Sequence, residues 1–199
     1  MLINGNPILG RVIFAHGAGA GMHSAFMEKM ALKLAEIGLE VVRFDFPYMQ
    51  KISLEGKRRP PDRMPTLLAL FQQVIEEYSD DLPLYLAGKS MGGRVASMLM
   101  ADSKVSACFV FGYPFHPQGK PNTLRTEHLA EIDKPLHIFQ GTRDKMGSLS
   151  EVTEYNLTSS VVLHWMSDGD HDLKPRKSSG FTQEDHQNQI VSIIEGCVN

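Results

Sequence analysis

The chain has 199 residues, 42% of them hydrophobic and 22% charged, with a net charge of −3. This is the mix of an ordinary globular protein, which excludes disorder and fibrous repeats, and its length suits one domain over 1–199 built on a single core. The slight negative balance gives no electrostatic basis for nucleic acid or a membrane as partner, and no stretch nears the roughly 20 apolar residues that span a bilayer.

Short apolar runs alternate with longer amphipathic stretches, which predicts an α/β fold: a three-layer α/β/α sandwich around a mainly parallel six-stranded sheet without a cap. Strands are expected over 10–15, 40–44, 82–87, 107–111, 136–140 and 161–165. A helix over 25–37 closes at Gly38, and one over 63–78 repeats Leu67, Leu68, Phe71, Val74 and Ile75 at helical spacing. Further helices are expected over 91–100, 148–156 and 183–197. Two long connections, 45–62 and 112–133, leave strand ends on the carboxyl edge of the sheet, where open α/β folds bind ligands. They bring Tyr48, Tyr113 and the basic run around Arg58 and Arg59 into consideration as substrate contacts. Cys108 lies in an apolar run and the start of the chain lacks the form of a signal peptide, so reduced thiols and a cytoplasmic location are expected.

Between the strand at 82–87 and the helix at 91–100 stands Gly88-Lys89-Ser90-Met91-Gly92-Gly93, a Gly-x-Ser-x-Gly sequence in the strand–turn–helix context of a nucleophile elbow. A glycine-rich turn with an incidental serine is the plainer reading, which the flanking pattern disfavours. A serine hydroxyl needs a base and an orienting acid. Asp144 follows the strand at 136–140 and His171 follows the strand at 161–165, giving the order Ser, Asp, His. The rival imidazoles are His23, His116, His128, His137, His164 and His186, and the fallback acids are Asp168 and Asp170. Charge that builds on an acyl oxygen requires fixed N–H donors, for which the backbone of Ala18, in His16-Gly-Ala-Gly-Ala-Gly21, and of Met91 are the candidates. A phosphate cradle is the competing use of such a loop, but neither Gly-x-Gly-x-x-Gly nor Walker spacing is present.

With these segments in place the chain resembles an α/β-hydrolase over nearly its whole length. More narrowly it is similar to a compact Tex30/KANL3-type, dienelactone-hydrolase-like branch, through 16–21, Asp45-Phe-Pro-Tyr48, Gly56-Lys-Arg-Arg-Pro-Pro-Asp62 and the segment 170–179. The resemblance implies a capless core, and the lack of any insertion long enough for a lid implies an open site; an acyl-enzyme reaction at Ser90 needs no metal and no organic cofactor and takes a small-molecule ester or thioester as substrate. Arg58, Arg59 and Arg176 offer an anchor for an anionic substrate group, unless nearby acids pair with them. The branch also contains members that look like scaffold subunits. A silent interaction module with a protein partner, or an acyltransferase, is therefore the alternative to a hydrolase.

Overall fold

A computed structural model of the chain describes residues 1–102 and 104–199. In chain order the strands are β1 (Leu2–Asn4), β2 (Gly10–Ala15), β3 (Leu39–Phe44), β4 (Leu84–Lys89), β5 (Val105–Phe111), β6 (Leu136–Gly141) and β7 (Val161–Met166). The helices are α1 (Ala25–Glu36), α2 (Pro47–Glu55), α3 (Met64–Tyr78), α4 (Met91–Met98), α5 (Leu149–Val152) and α6 (Gln183–Val198). The sheet runs β1-β3-β2-β4-β5-β6-β7, antiparallel at β1–β3 and parallel at every other pairing.

Side chains on a strand alternate faces, and the two cores follow that period. Val12 and Phe14 of β2, with Ala107, Phe109 and Phe111 of β5, pack on α1 and α6. Ile13 and Ala15, with Cys108 and Val110, pack on α3 and α4. Each of these phenyl rings is wholly buried and stabilises by about 2–3 kcal/mol relative to exposure. The central strands, covered on both faces, therefore read as unbroken apolar runs and hold their carboxyl ends as a rigid rim.

Several elements differ from the sequence reading. A seventh strand, β1, pairs three residues with β3 at one edge; so short a segment carries no readable period. The connection 45–62 contains α2, with Pro47 in its first turn and Gly56 ending it at φ 67°. β4 starts after Pro83, whose carbonyl accepts the Arg11 N–H (2.9 Å), and it runs on to Lys89, two residues past the expected end. α4 stops at Met98, and the helix expected over 148–156 is the four-residue α5 opened by a Ser148–Glu151 capping box. Among the described residues no helix is long and apolar enough to cross a membrane.

Candidate active site

β4 delivers its last residue straight into a turn at Ser90, whose backbone sits at φ 52°, ψ −115°, before α4 begins at Met91. A non-glycine residue there carries about 1–3 kcal/mol of strain, which the surrounding packing must hold. The packing is made by close approach of three glycines. A Cβ on Gly88 would lie 2.3 Å from the Gly92 carbonyl carbon, one on Gly92 2.5 Å from the His16 oxygen, and one on Gly93 2.4 Å from Val110. Strand, helix and the neighbouring β2 end thus meet backbone to backbone, and the Ser90 hydroxyl is lifted clear of the sheet.

The imidazole of His171 comes from the loop after β7, and the carboxylate of Asp144 from the turn after β6. His171 Nε2 is 2.7 Å from Ser90 Oγ and its Nδ1 is 2.7 Å from Asp144 Oδ2. An ionised carboxylate only accepts, so Nδ1 carries the ring proton and Nε2 is left to accept from the serine hydroxyl. Asp144 is fully buried. Its Oδ2 also accepts from Gln140 Nε2 (2.8 Å) and its Oδ1 from the Met146 N–H (2.8 Å), which fixes the plane of the carboxylate. Gln140, fully buried on β6, is itself locked by the backbone of Tyr113 and Gly147.

Of the rival groups, His23 is exposed ahead of α1, and the others are engaged elsewhere. Asp168 accepts from Arg176 and Arg143, and the Arg176 fork holds its carboxyl down to about 2. Asp170 Oδ1 accepts from the backbone of Asp172 and Lys174 as a turn cap. His137 and His164 pair with each other at 3.0 Å across β6 and β7. His186 Nδ1–H donates to the Leu173 carbonyl at 2.8 Å, and His116 is buried beside Pro117. A second serine–histidine contact joins Ser97 Oγ and His128 Nε2 at 2.8 Å. Ser97 is inside α4, nearly inaccessible, and its hydroxyl donates to the Arg94 carbonyl. Burial pushes His128 down to about 4. That pair has neither an elbow nor an orienting acid.

Opposite the serine lies the loop after β2. His16 is fully buried, burial lowers its pKa, and its Nε2 accepts from the Phe46 N–H (3.1 Å). Nδ1 therefore carries the proton and donates to the Gly17 carbonyl (2.7 Å), to which the Tyr48 hydroxyl also donates at 3.3 Å, besides the Ala18 carbonyl at 3.0 Å. In a trans peptide the C=O and the next N–H point oppositely. The Ala18 N–H is thus turned away from His16 and Tyr48, and Ala18 lines the cleft on that other side. Met91, as the first residue of α4, has no intrahelical acceptor for its N–H.

The cleft measures about 650 Å³ and is walled chiefly by Ala18, Ala20, Phe26, Met27 and Met146 around Ser90 and His171. Five residues expected to touch substrate are not among those lining it. Tyr48 is buried under the Gly17 loop, and Tyr113 is buried with its hydroxyl on the Arg125 carbonyl. Arg176 is clamped by Asp168, Arg59 pairs with Glu55, and Arg58 is on the exposed segment after α2. The cations that do line the cleft are Lys89 and Lys174. Sequence reasoning treated Lys89 as a spacer in the elbow motif and passed over Gln140 entirely; its place at the end of a buried strand, four residues before the acid, was the available signal.

Comparisons with known proteins agree with this architecture. The family described as alpha/beta hydrolase domain matches residues 9–199. No curated protein sequence matches the chain. Among solved structures, a monoacylglycerol lipase from Paleococcus ferrophilus is similar at 14% identity and a TM-score of 0.73, over 98% of this chain and 97% of that one. An alpha-beta serine hydrolase homologue from Coxiella burnetii matches at 20% identity and a TM-score of 0.70, over 100% and 90%. A dienelactone hydrolase from Anabaena variabilis matches at 20% identity and a TM-score of 0.70, over 98% and 88%. At these identities the likeness is one of fold.

Proposed function

We propose that this chain, which belongs to the alpha/beta hydrolase domain family, is a serine hydrolase that cleaves carboxylic esters or thioesters within one domain over 1–199. The observation that carries the reading is the continuous row from Ser90 Oγ to His171 to the buried Asp144, with 2.7 Å at both links. Nε2 takes the serine proton as Oγ bonds to the acyl carbon, and the carbonyl electron pair moves onto oxygen. The N–H groups of Ala18 and Met91 receive that oxyanion. When the tetrahedral species collapses, the bond to the leaving alcohol or thiol breaks and Nε2–H protonates it. Water then attacks the acyl-Ser90, giving its proton to Nε2, and the carboxylic acid leaves as the serine proton is restored. His16 and Tyr48 act as positioning residues, because they set the Gly17–Ala18 peptide that bears one of the oxyanion donors. No step calls for a cofactor.

The apolar walls from Phe26, Met27 and Met146 suit a short or medium acyl chain, and the cleft is open to solvent along one side. A fluorophosphonate probe tests the reading. The wild type is expected to label at one site and Ser90→Ala not at all, with parallel loss of p-nitrophenyl acetate hydrolysis. Folded wild-type protein that neither labels nor hydrolyses an ester panel would favour a silent interaction module.

A further inference from the structure

Of the charged groups that line the cleft and are unused by this chemistry, one is buried. Lys89 is the last residue of β4, adjacent to the nucleophile, and only 8% of its surface is exposed. Burial lowers its pKa, with Asp172 acting in the opposite direction. A buried ammonium needs acceptors to be tolerated. Lys89 Nζ donates to the His171 carbonyl at 2.6 Å and lies 3.2 Å from Asp172 Oδ1, the latter largely exposed. No other donor among the described residues reaches that carbonyl. Its oxygen is wedged against the end of β5: a Cβ on Gly112 would lie 2.5 Å from it and 3.3 Å from Nζ.

The loop that carries His171 does not hold its shape by ordinary backbone preference. Asp168 and Leu173 are non-glycine residues at φ 55° and 59°, one on each side of the histidine. Such a segment relaxes unless it is tied from outside. From the histidine onward three side chains tie its main chain from outside: His186 Nδ1 donates to the Leu173 carbonyl at 2.8 Å, Gln183 Nε2 donates to the Asp172 carbonyl at 2.8 Å, and Lys89 alone grips the carbonyl of His171 itself.

We propose that Lys89 is a positioning residue: its ammonium binds the backbone of the base to the strand end that bears the nucleophile, so that His171 and Ser90 are held in register by a second bridge independent of their own hydrogen bond. This rests on the reading of Ser90 and His171 given above. It assigns the lysine of the elbow a mechanical task and not substrate recognition, although it borders the cleft.

The test compares wild type with Lys89→Met, which keeps length and volume and removes the donor. Replacement of a buried cation by an apolar side chain of similar size is often tolerated in folding. A displacement of about 1 Å at a reacting group is enough for a roughly 100-fold loss. kcat for p-nitrophenyl acetate and for the anionic p-nitrophenyl hemisuccinate is expected to fall about 10- to 100-fold alike, with KM within about twofold for both. A low-field proton resonance of His171 Nδ1–H is expected in the wild type, and is expected to vanish or broaden in the variant. Unchanged kcat with an unchanged resonance would overturn the proposal. So would an effect confined to KM of the anionic ester, which would make Lys89 a substrate anchor. Should Lys89→Met not fold, Lys89→Gln, whose amide stops short of the carbonyl, carries the same comparison; collapse of both would overturn the proposal by making Lys89 a folding residue. Wild type that is inert to fluorophosphonate, with a resonance that still depends on Lys89, would sink the hydrolase reading and leave the tie standing.

Discussion

Gly92→Ala separates steric necessity from helix preference at the elbow. Alanine is favoured over glycine inside a helix by about 1 kcal/mol, so propensity alone predicts stabilisation. At Gly92, however, the new Cβ would be 2.5 Å from the His16 oxygen, 2.6 Å from the Ala15 oxygen and 2.8 Å from the Ala15 carbonyl carbon. These are backbone atoms at the end of a central strand, and the contacts fall short of van der Waals distance by roughly 1 Å. α4 must therefore move off β2 by most of that amount, at about 1–3 kcal/mol for overpacking. Net destabilisation of up to about 2 kcal/mol is expected, or a Tm lower by about 4–8 °C. The same shift moves Ser90 and the Met91 N–H relative to Ala18, and turnover is expected to fall about 100-fold. Gly196 on α6 is the internal control: nothing lies within 4 Å of its added Cβ, and Gly196→Ala should stabilise by about 0.5 kcal/mol. Urea titration of both variants, with ester hydrolysis on the folded fraction, measures the contrast. A neutral or stabilising Gly92→Ala with wild-type turnover would refute the claim that the elbow is set by backbone contact.

Ser90→Gly should abolish ester hydrolysis while raising stability by about 1 kcal/mol in chemical denaturation, because it releases the strain at φ 52°. Tyr48→Phe removes the hydroxyl that donates to the Gly17 and Ala18 carbonyls; kcat is expected to fall about tenfold with KM little changed, as for lost orientation of a donor used only in the transition state. Asp168, held down to about 2 by Arg176, contributes stability that is fully present above its ordinary range near 3.8 and is lost as pH falls toward 2. Asp168→Asn, which tolerates the left-handed backbone there, should flatten the Tm profile between pH 4 and pH 2 relative to wild type; identical profiles would count against the Arg176 pairing.

The parallel sheet was legible because its central strands are buried on both faces and so appear as contiguous apolar runs, and the elbow because glycine is dictated by backbone contact. Ser90 was picked out by the elbow motif, and Asp144 and His171 by their places after strand ends in the order Ser, Asp, His; the structure brings those three side chains into one row. β1 escaped notice because three residues at an edge have no period. α2 escaped because its composition, with Pro47, Tyr48 and Lys51 close together, resembles a loop until Pro47 is read as a helix start. The residues expected to touch substrate lie away from the cleft lining for a different reason. Position after a strand end places a residue near the rim but says nothing about the direction of its side chain. Tyr48 and Tyr113 turned into the core, Arg59 and Arg176 were taken by local acids, and the lysine overlooked inside the motif turned toward the cleft.

Ser90 and His171 follow β4 and β7, with two strands between them, and β7 is the last strand of the sheet. An outermost strand is paired on one side only, so local opening there breaks one ladder of hydrogen bonds where an interior strand breaks two. Breathing at that border would withdraw the imidazole while the interior stays intact. On the reading of Ser90 and His171 proposed above, activity would depend on that one border ladder, to be lost and regained with it before the central strands unfold.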